Sequence, residues 1–253
     1  FDHGLVCERC GPVSEYGGLY IVRPSSFTNV EWLELYALSA VEVNQAMRLR
    51  SVHARAAYVA CRLLLRALVS TYAQVPVDQI EIGQGEYGKP VVTYPTGKCV
   101  EFNISHSHPV SVLAMAPAVP IGVDIVEVAE VPEGRGFARR VLTDRELGEW
   151  SALQDNRRAE WLGRVWAAKE SYLKWIGVGL KVDPRTVDVC WLDGMSFRAA
   201  EEKGAFPEAY GSWRVYEGCQ IAFVPGDLDL SMVLAPRRSV LDHLTCQGFS
   251  ELA

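Results

Sequence analysis

Residues 164–180 read RVWAAKESYLKWIGVGL, and the reading of this stretch decides the rest. Trp166, Glu170 and Lys174 recur at i, i+4, i+8, and Trp166, Ala167 and Leu173 supply apolar surface beside them. That spacing predicts one helix with a carboxylate and an ammonium on a single stripe, a turn apart. Gly177 and Gly179 mark where the helix stops and the chain turns. Glu and Lys four apart also decorate ordinary surface helices, so the stripe needs a partner elsewhere before it implies chemistry.

Residues 121–128, IGVDIVEV, offer that partner. Asp is depleted in strands and costly to bury unpaired, yet Asp124 sits among β-branched residues. One account ties Asp124 to a turn at a strand end. The other has Asp124 and Glu170 jointly holding a hard divalent cation such as Mg²⁺, which takes carboxylate and phosphate oxygens. Strand alternation puts Asp124 and Val126 on one face and Glu127 on the other, which makes Glu127 a doubtful direct ligand. Residues 102–108, FNISHSH, cluster polar groups at a strand exit, where His106 suits a phosphate, with Ser105 and Asn103 in support. His108 is the weaker candidate. Gly88-Lys89-Pro90 and an arginine stripe on the preceding helix add cations. Lys supplies a point charge and Arg a forked donor, and Arg55 lies near the middle of the stripe.

The chain has 253 residues, 49% of them hydrophobic and 22% charged, with a formal net charge of -6. That is ordinary for a globular protein and argues against a general nucleic-acid binder. Seven cysteines, spread singly apart from Cys7-x-x-Cys10, read as free thiols in a reducing, cytoplasmic setting. Cys7 and Cys10 lack the further ligands a zinc site needs. No apolar run is expected to span a bilayer, and the start lacks both an initiator Met and an export signal, so it reads as processed or trimmed. Neither a phosphate-binding GxxxxGK[ST] nor a GxGxxG after a strand occurs.

Strands are expected at 18–23, 80–83, 100–105, 111–116, 121–126, 186–191, 213–217, 219–224 and 229–234. Thr28 and Glu31 resemble a capping box opening a helix through Val43, and a longer helix is expected over 45–72. A further helix should begin after Thr143, with Glu146 placed to cap it, before the long helix of 157–176. The same coarse order, strand then helices then strands, runs twice. The reading is therefore α+β, with an N-terminal lobe at 1–117 and a C-terminal lobe at 118–253 whose tail from about 237 is peripheral.

EYGKP at 86–90, FNISHS at 102–107, GVDIVE at 122–127 and WAAKESYLKWIGVGL at 166–180 jointly resemble the two-lobed 4'-phosphopantetheinyl transferases. RAAYVACRLLLR at 55–66 is similar to that family's arginine-bearing helix. The resemblance covers roughly 45–235. It implies a pseudo-twofold pair of similar α+β lobes, with the active site in the cleft between them and coenzyme A as co-substrate. It further implies Asp124 and Glu170 as Mg²⁺ ligands and Lys174 near the transferring phosphate. Lys89, His106 and Arg55, with Ser105, would hold the coenzyme A phosphates, and Lys169 and Trp166 would support the site. One residue departs from the pattern: many two-lobed members carry a third acidic ligand where this chain has Val126.

The implied reaction moves the 4'-phosphopantetheine arm onto a serine of an acyl, peptidyl or aryl carrier protein. Glu170 is then the expected base, with Glu127 second, and Lys174 the cation on the phosphoryl oxygens. The resemblance leads to a monomer with carrier proteins and coenzyme A as partners, and neither nucleic acid nor membrane. Charge or apolar docking near Trp175 and Ile176 would serve the carrier, though Trp175 could equally be core. Two other readings stay open: an enzyme acting on a different phosphoanhydride, and a non-catalytic scaffold that binds coenzyme A or a carrier.

Overall fold

The computed structural model describes residues 17–27, 37–85, 87–96, 100–132, 134–226 and 232–235. The chain divides into two compact units, one of residues 1–102, 108–119 and 230–253, the other of 103–107 and 120–229. Each unit combines helices with sheet that is antiparallel but for one parallel pair in the first, so the α+β class is the one observed.

The first unit contains β1 (Gly18–Val22), α1 (Ala40–Arg48), α2 (Val52–Ala73), β2 (Glu81–Gln84) and β3 (Pro90–Tyr94). β4 (Val100–His106) follows, its first three residues grouping here, then β5 (Ser111–Pro117). One sheet runs β11-β1-β5-β4, where β11 is Met232–Ala235, and β2 and β3 form a separate hairpin. β1 is antiparallel to β5, Tyr20 opposite Leu113, and parallel to β11, Leu19 opposite Met232.

The single helix expected over 45–72 is two. Ser39 and Glu42 form a capping box that starts α1 five residues earlier than 45, and Leu49 leaves the helical region. Ser51 then caps a new helix by accepting the Ala54 N–H. Arg66 on α2, 2% exposed, locks the pair together: its Nε and NH1 donate to Glu42 Oε2 and to the Val77 carbonyl, each at 2.9 Å. Contrary to the expectation from composition, α2 is long and apolar enough to cross a membrane, but most of it is buried inside the protein. The Thr28–Glu31 box and Cys7-x-x-Cys10 lie outside the described residues.

The second unit contains β6 (Gly122–Glu127), α3 (Arg135–Val141), α4 (Asp144–Ala152), α5 (Asp155–Trp175), β7 (Val187–Trp191), β8 (Ser196–Glu201), β9 (Ala209–Tyr216) and β10 (Cys219–Val224). Its five-stranded sheet runs β6-β10-β9-β8-β7, antiparallel throughout. α5 lies along this sheet, burying Ala167, Ala168, Tyr172 and Leu173 against Val187, Val189, Phe197, Ala199 and Ala222. Trp175 and Ile176 pack half-buried on the same cluster. The predicted Thr143–Glu146 capping box opens α4.

Two features divide the chain differently from a cut at 117/118. Met232–Ala235, expected to close the second lobe, pairs with β1 of the first unit. Residues 103–107 group with the second unit because their side chains bond to β6. The repeated order is nonetheless visible in each unit taken alone. The opening strand pairs antiparallel with the last strand of its run, β1 with β5 and β6 with β10, and the helices lie between them in sequence.

Candidate active site

β6 is an edge strand, bonded to β10 on one side only. Its other edge presents the N–H groups of alternate residues, which cannot be left unpaired when buried. Side chains spaced by two along 103–107 satisfy them: Asn103 Oδ1 accepts from Val123 N (2.9 Å), Ser105 Oγ from Ile125 N (3.4 Å) and Ser107 Oγ from Glu127 N (3.1 Å). The polar spacing N-x-S-x-S thus acts as a side-chain ladder along β6.

Alternation sends Gly122, Asp124 and Val126 toward α5. A Cβ on Gly122 would lie 2.5 Å from Trp175 N and 2.9 Å from its Cα, and closer still to the Ser171 carbonyl. Only glycine allows strand and helix to come this near. At the other end Val126 reaches α5 beside Gly163, whose own added Cβ would stand 3.5 Å from Val126 Cγ1. Asp124 lies between these contacts, 6% exposed, opposite the Glu170–Lys174 turn.

Lys174 Nζ donates to Asp124 Oδ1 (2.6 Å), Ser105 Oγ (3.0 Å) and the Val123 carbonyl (3.1 Å), which uses its three protons. Ser105 Oγ donates to the same Asp124 oxygen at 2.7 Å. Ser105 therefore positions Asp124 and Lys174, and its hydroxyl has no bond to spare for the phosphate contact expected of it. Lys174 likewise spends its donors on the protein, and what it contributes to a phosphate is charge.

Glu170 has the opposite character. Neither of its carboxylate oxygens accepts a hydrogen bond among the described residues, and Oε1 is fully buried. Burial first, and the Asp124 carboxylate second, push its pKa up from 4.5 to about 7, while Lys174 opposes the rise. Asp124 Oδ2 is also without a hydrogen bond, since both donors go to Oδ1. Two carboxylates that repel each other, with free oxygen lone pairs, form a donor set suited to a hard divalent cation, so the residues fit the Mg²⁺ the resemblance implies. Among the described residues no third His, Cys, Asp or Glu joins them, and Val126 packs in apolar clusters instead.

Glu127 falls on the opposite face of β6, and no hydrogen bond or ion pair links it to Asp124, Glu170 or Lys174. Its charge is felt by Cys219, directly across on β10. Lys169, beside Glu170 in sequence, is completely buried on another face of α5. Its Nζ pairs with Glu146 Oε2 (2.5 Å) and donates to the Val141 (2.7 Å) and Pro184 (2.9 Å) carbonyls. It fastens α5 to α3, α4 and the approach to β7, so its support of the site is structural. Trp166 packs edge-on against Phe137, centroids 5.6 Å apart.

His106, exposed at the end of β4, groups with this unit, whereas Arg55 and Lys89 belong to the first. Arg55 NH2 donates to the Leu49 carbonyl at 2.9 Å, bracing the α1–α2 corner, and its Nε is buried without a partner. Burial lowers the Lys89 pKa, with Glu101 opposing. Also in the first unit, the His53 and His108 rings lie 4.9 Å apart.

A family model described as the 4'-phosphopantetheinyl transferase superfamily matches residues 120–224, and one for the N-terminal region of 4'-phosphopantetheinyl transferases matches 26–118. The chain belongs to the 4'-phosphopantetheinyl transferase superfamily, and both halves of it carry the family's imprint. An L-aminoadipate-semialdehyde dehydrogenase-phosphopantetheinyl transferase of Mus musculus is 33% identical over 168 residues, 60% of this chain and 53% of that protein. The 4'-phosphopantetheinyl transferase HetI of a Nostoc species is 28% identical over 144 residues, 56% and 61% of the two chains. The chain thus spans about half the length of the mammalian relatives it matches. A holo-(acyl-carrier-protein) synthase from Bacillus anthracis, solved with coenzyme A (3',5'-ADP), aligns at TM-score 0.32 and 23% identity over 42% of this chain and 92% of that one.

Proposed function

We propose that this protein transfers the 4'-phosphopantetheine arm of coenzyme A to a serine hydroxyl of an acyl, peptidyl or aryl carrier protein, in a Mg²⁺-dependent reaction. The observation that carries this reading is the pair Asp124 and Glu170, one on β6 and one on α5, near enough for the Asp124 charge and that of Lys174 to act on Glu170, with buried Glu170 Oε1 left without a hydrogen bond among the described residues. Bound there, Mg²⁺ would neutralise the diphosphate of coenzyme A and the charge that grows on departing 3',5'-ADP.

The chain's own residues divide the remaining work. Lys174 and Ser105 both donate to Asp124 Oδ1, which fixes the carboxylate that would help hold a cation. Glu170 has a pKa near neutrality and free lone pairs, which suits it to take the proton from the attacking serine. Strand parity favours Glu170 over Glu127 for that step. Arg55, Lys89 and His106 are the groups assigned to the nucleotide phosphates. The reading is completed by a cytoplasmic monomer acting on coenzyme A and carrier proteins.

Incubating the purified protein with an apo carrier protein, coenzyme A and Mg²⁺ should add roughly 340 Da to one carrier serine by mass spectrometry. Asp124→Ala and Glu170→Ala should abolish the gain while the protein stays folded. Full activity in either variant defeats the metal assignment. Coenzyme A cleaved without carrier modification would indicate the phosphoanhydride enzyme, and tight binding without turnover at any Mg²⁺ or Mn²⁺ concentration the scaffold.

A further inference from the structure

His53 and His108 are distant in the chain and neighbours in the first unit. His53 lies in the first turn of α2, whose start is set by the Ser51 cap. His108 lies in the short connection between β4, which ends at His106, and β5, which begins at Ser111 just after fully buried Val110. The two ring centroids are 4.9 Å apart and the ring planes are inclined at 43°. His53 is half-buried and His108 exposed, so neither ring is sealed in the apolar core and solvent ions reach the pair.

Rings that pack for their own sake prefer an offset parallel or an edge-on arrangement, and an inclination of 43° is neither. Imidazoles that share one metal ion obey a different constraint. With metal–nitrogen bonds of about 2.0–2.1 Å and angles between the octahedral and tetrahedral values, their ring centroids stand roughly 4.5–5.2 Å apart. The observed separation falls within that interval. Capped helix on one side and sheet strands on the other hold both segments, so closing them on an ion costs little conformational freedom.

We propose that His53 and His108 chelate a divalent transition-metal ion such as Zn²⁺ or Ni²⁺, which ties the first turn of α2 to the β4–β5 connection. Imidazole nitrogen suits these ions, whereas Mg²⁺ demands oxygen ligands. Among the described residues no third His, Cys, Asp or Glu joins the pair, so water takes the remaining coordination positions. Arg55 follows His53 by one half-turn, and a filled site would hold the helix end that carries it. The ligands belong to the first unit, Asp124 and Glu170 to the second, and the site does not depend on the transfer reaction.

The test is calorimetric titration of the whole, tag-free protein with Ni²⁺, in excess Mg²⁺ to occupy carboxylates and with Cys7→Ser and Cys10→Ser to remove that thiol pair. One equivalent should bind, and affinity should fall about tenfold or more in His53→Gln and equally in His108→Gln. Ni²⁺ should also raise the melting temperature of the parent protein and of neither variant. A second measurement needs no histidine variant: imidazole nitrogen NMR of the parent with Zn²⁺ should show the His53 and His108 signals shifting together and levelling at one equivalent. Movement of only one of the two rings overturns the proposal, as does absence of binding at millimolar Ni²⁺. Binding that either well-folded histidine variant retains at parental affinity would be an adventitious ion elsewhere and overturns it too.

Discussion

Replacing Glu170 by Gln should stabilise the protein, and do so in a pH-dependent way. In the folded chain the Glu170 carboxyl holds its proton up to about pH 7, whereas in the unfolded chain it releases it near 4.5. Folding therefore takes up a proton between these values, and stability declines as pH rises through that window. The difference corresponds to a ceiling of about 3 kcal/mol, fully developed above pH 7. Glu170 is partly open to solvent, so about 1–2 kcal/mol is the expected effect, or a rise in melting temperature of roughly 2–8 °C at pH 8. Near pH 5 the gap should nearly close, because the wild-type carboxyl is then mostly neutral in the fold. Calorimetric melts at both pH values measure this. Mg²⁺ should raise the wild-type melting temperature at pH 8 and have little effect on Glu170→Gln, since the ion binds the native state through that carboxylate. A variant no more stable than wild type at pH 8, or a gap that does not change with pH, refutes the claim that Glu170 is held at a cost for cation binding.

Gly122→Ala would force backbone against backbone at Ser171 and Trp175, and should lower stability by about 2–4 kcal/mol in denaturant titrations and weaken transfer with it. Lys169→Met takes the close cation from buried Glu146, leaving it the Thr143 and Val189 N–H groups and Arg145 at 4.0 Å, a loss of about 3 kcal/mol, and the double change with Glu146→Met should recover part of it in the same titrations. Glu127→Gln should keep carrier modification within severalfold of wild type in the mass-spectrometric assay, because that side chain lies on the far face of β6.

Local signals carried most of the fold. The alternating β-branched run around Asp124, the Thr143–Glu146 box and the two glycines after Lys174, both with positive φ, all declare themselves within a few residues. β3 and β8 escape the sequence reading for different reasons: Pro90 opens PVVTY inside what reads as a polar loop and masks four good strand formers, whereas SFRAAE alternates through small and charged residues and lacks the apolar density of a strand. The break between α1 and α2 hides because Leu49 and Arg50 are good helix formers, and Ser51 alone marks the restart. In the site, strand parity and helix spacing were enough to bring Asp124 toward Glu170. What they could not give was the division of labour among hydrogen bonds. That Lys174 spends its protons on Asp124, 50 residues away, and that Ser105 does the same from 19 away, depends on register between distant elements, which no local pattern encodes.

The neighbours Lys169 and Glu170 sit in opposite surroundings: one sealed among carbonyls and a carboxylate, the other left with a buried oxygen that no donor reaches among the described residues. A survey that scored only loss of product would rank the two alike and draw the catalytic centre one residue too wide. Heat separates them, since damage at 169 should make the protein fragile and damage at 170 should make it sturdier. In a chain of this architecture, loss of activity and loss of stability are different injuries that fall on adjacent letters of the sequence.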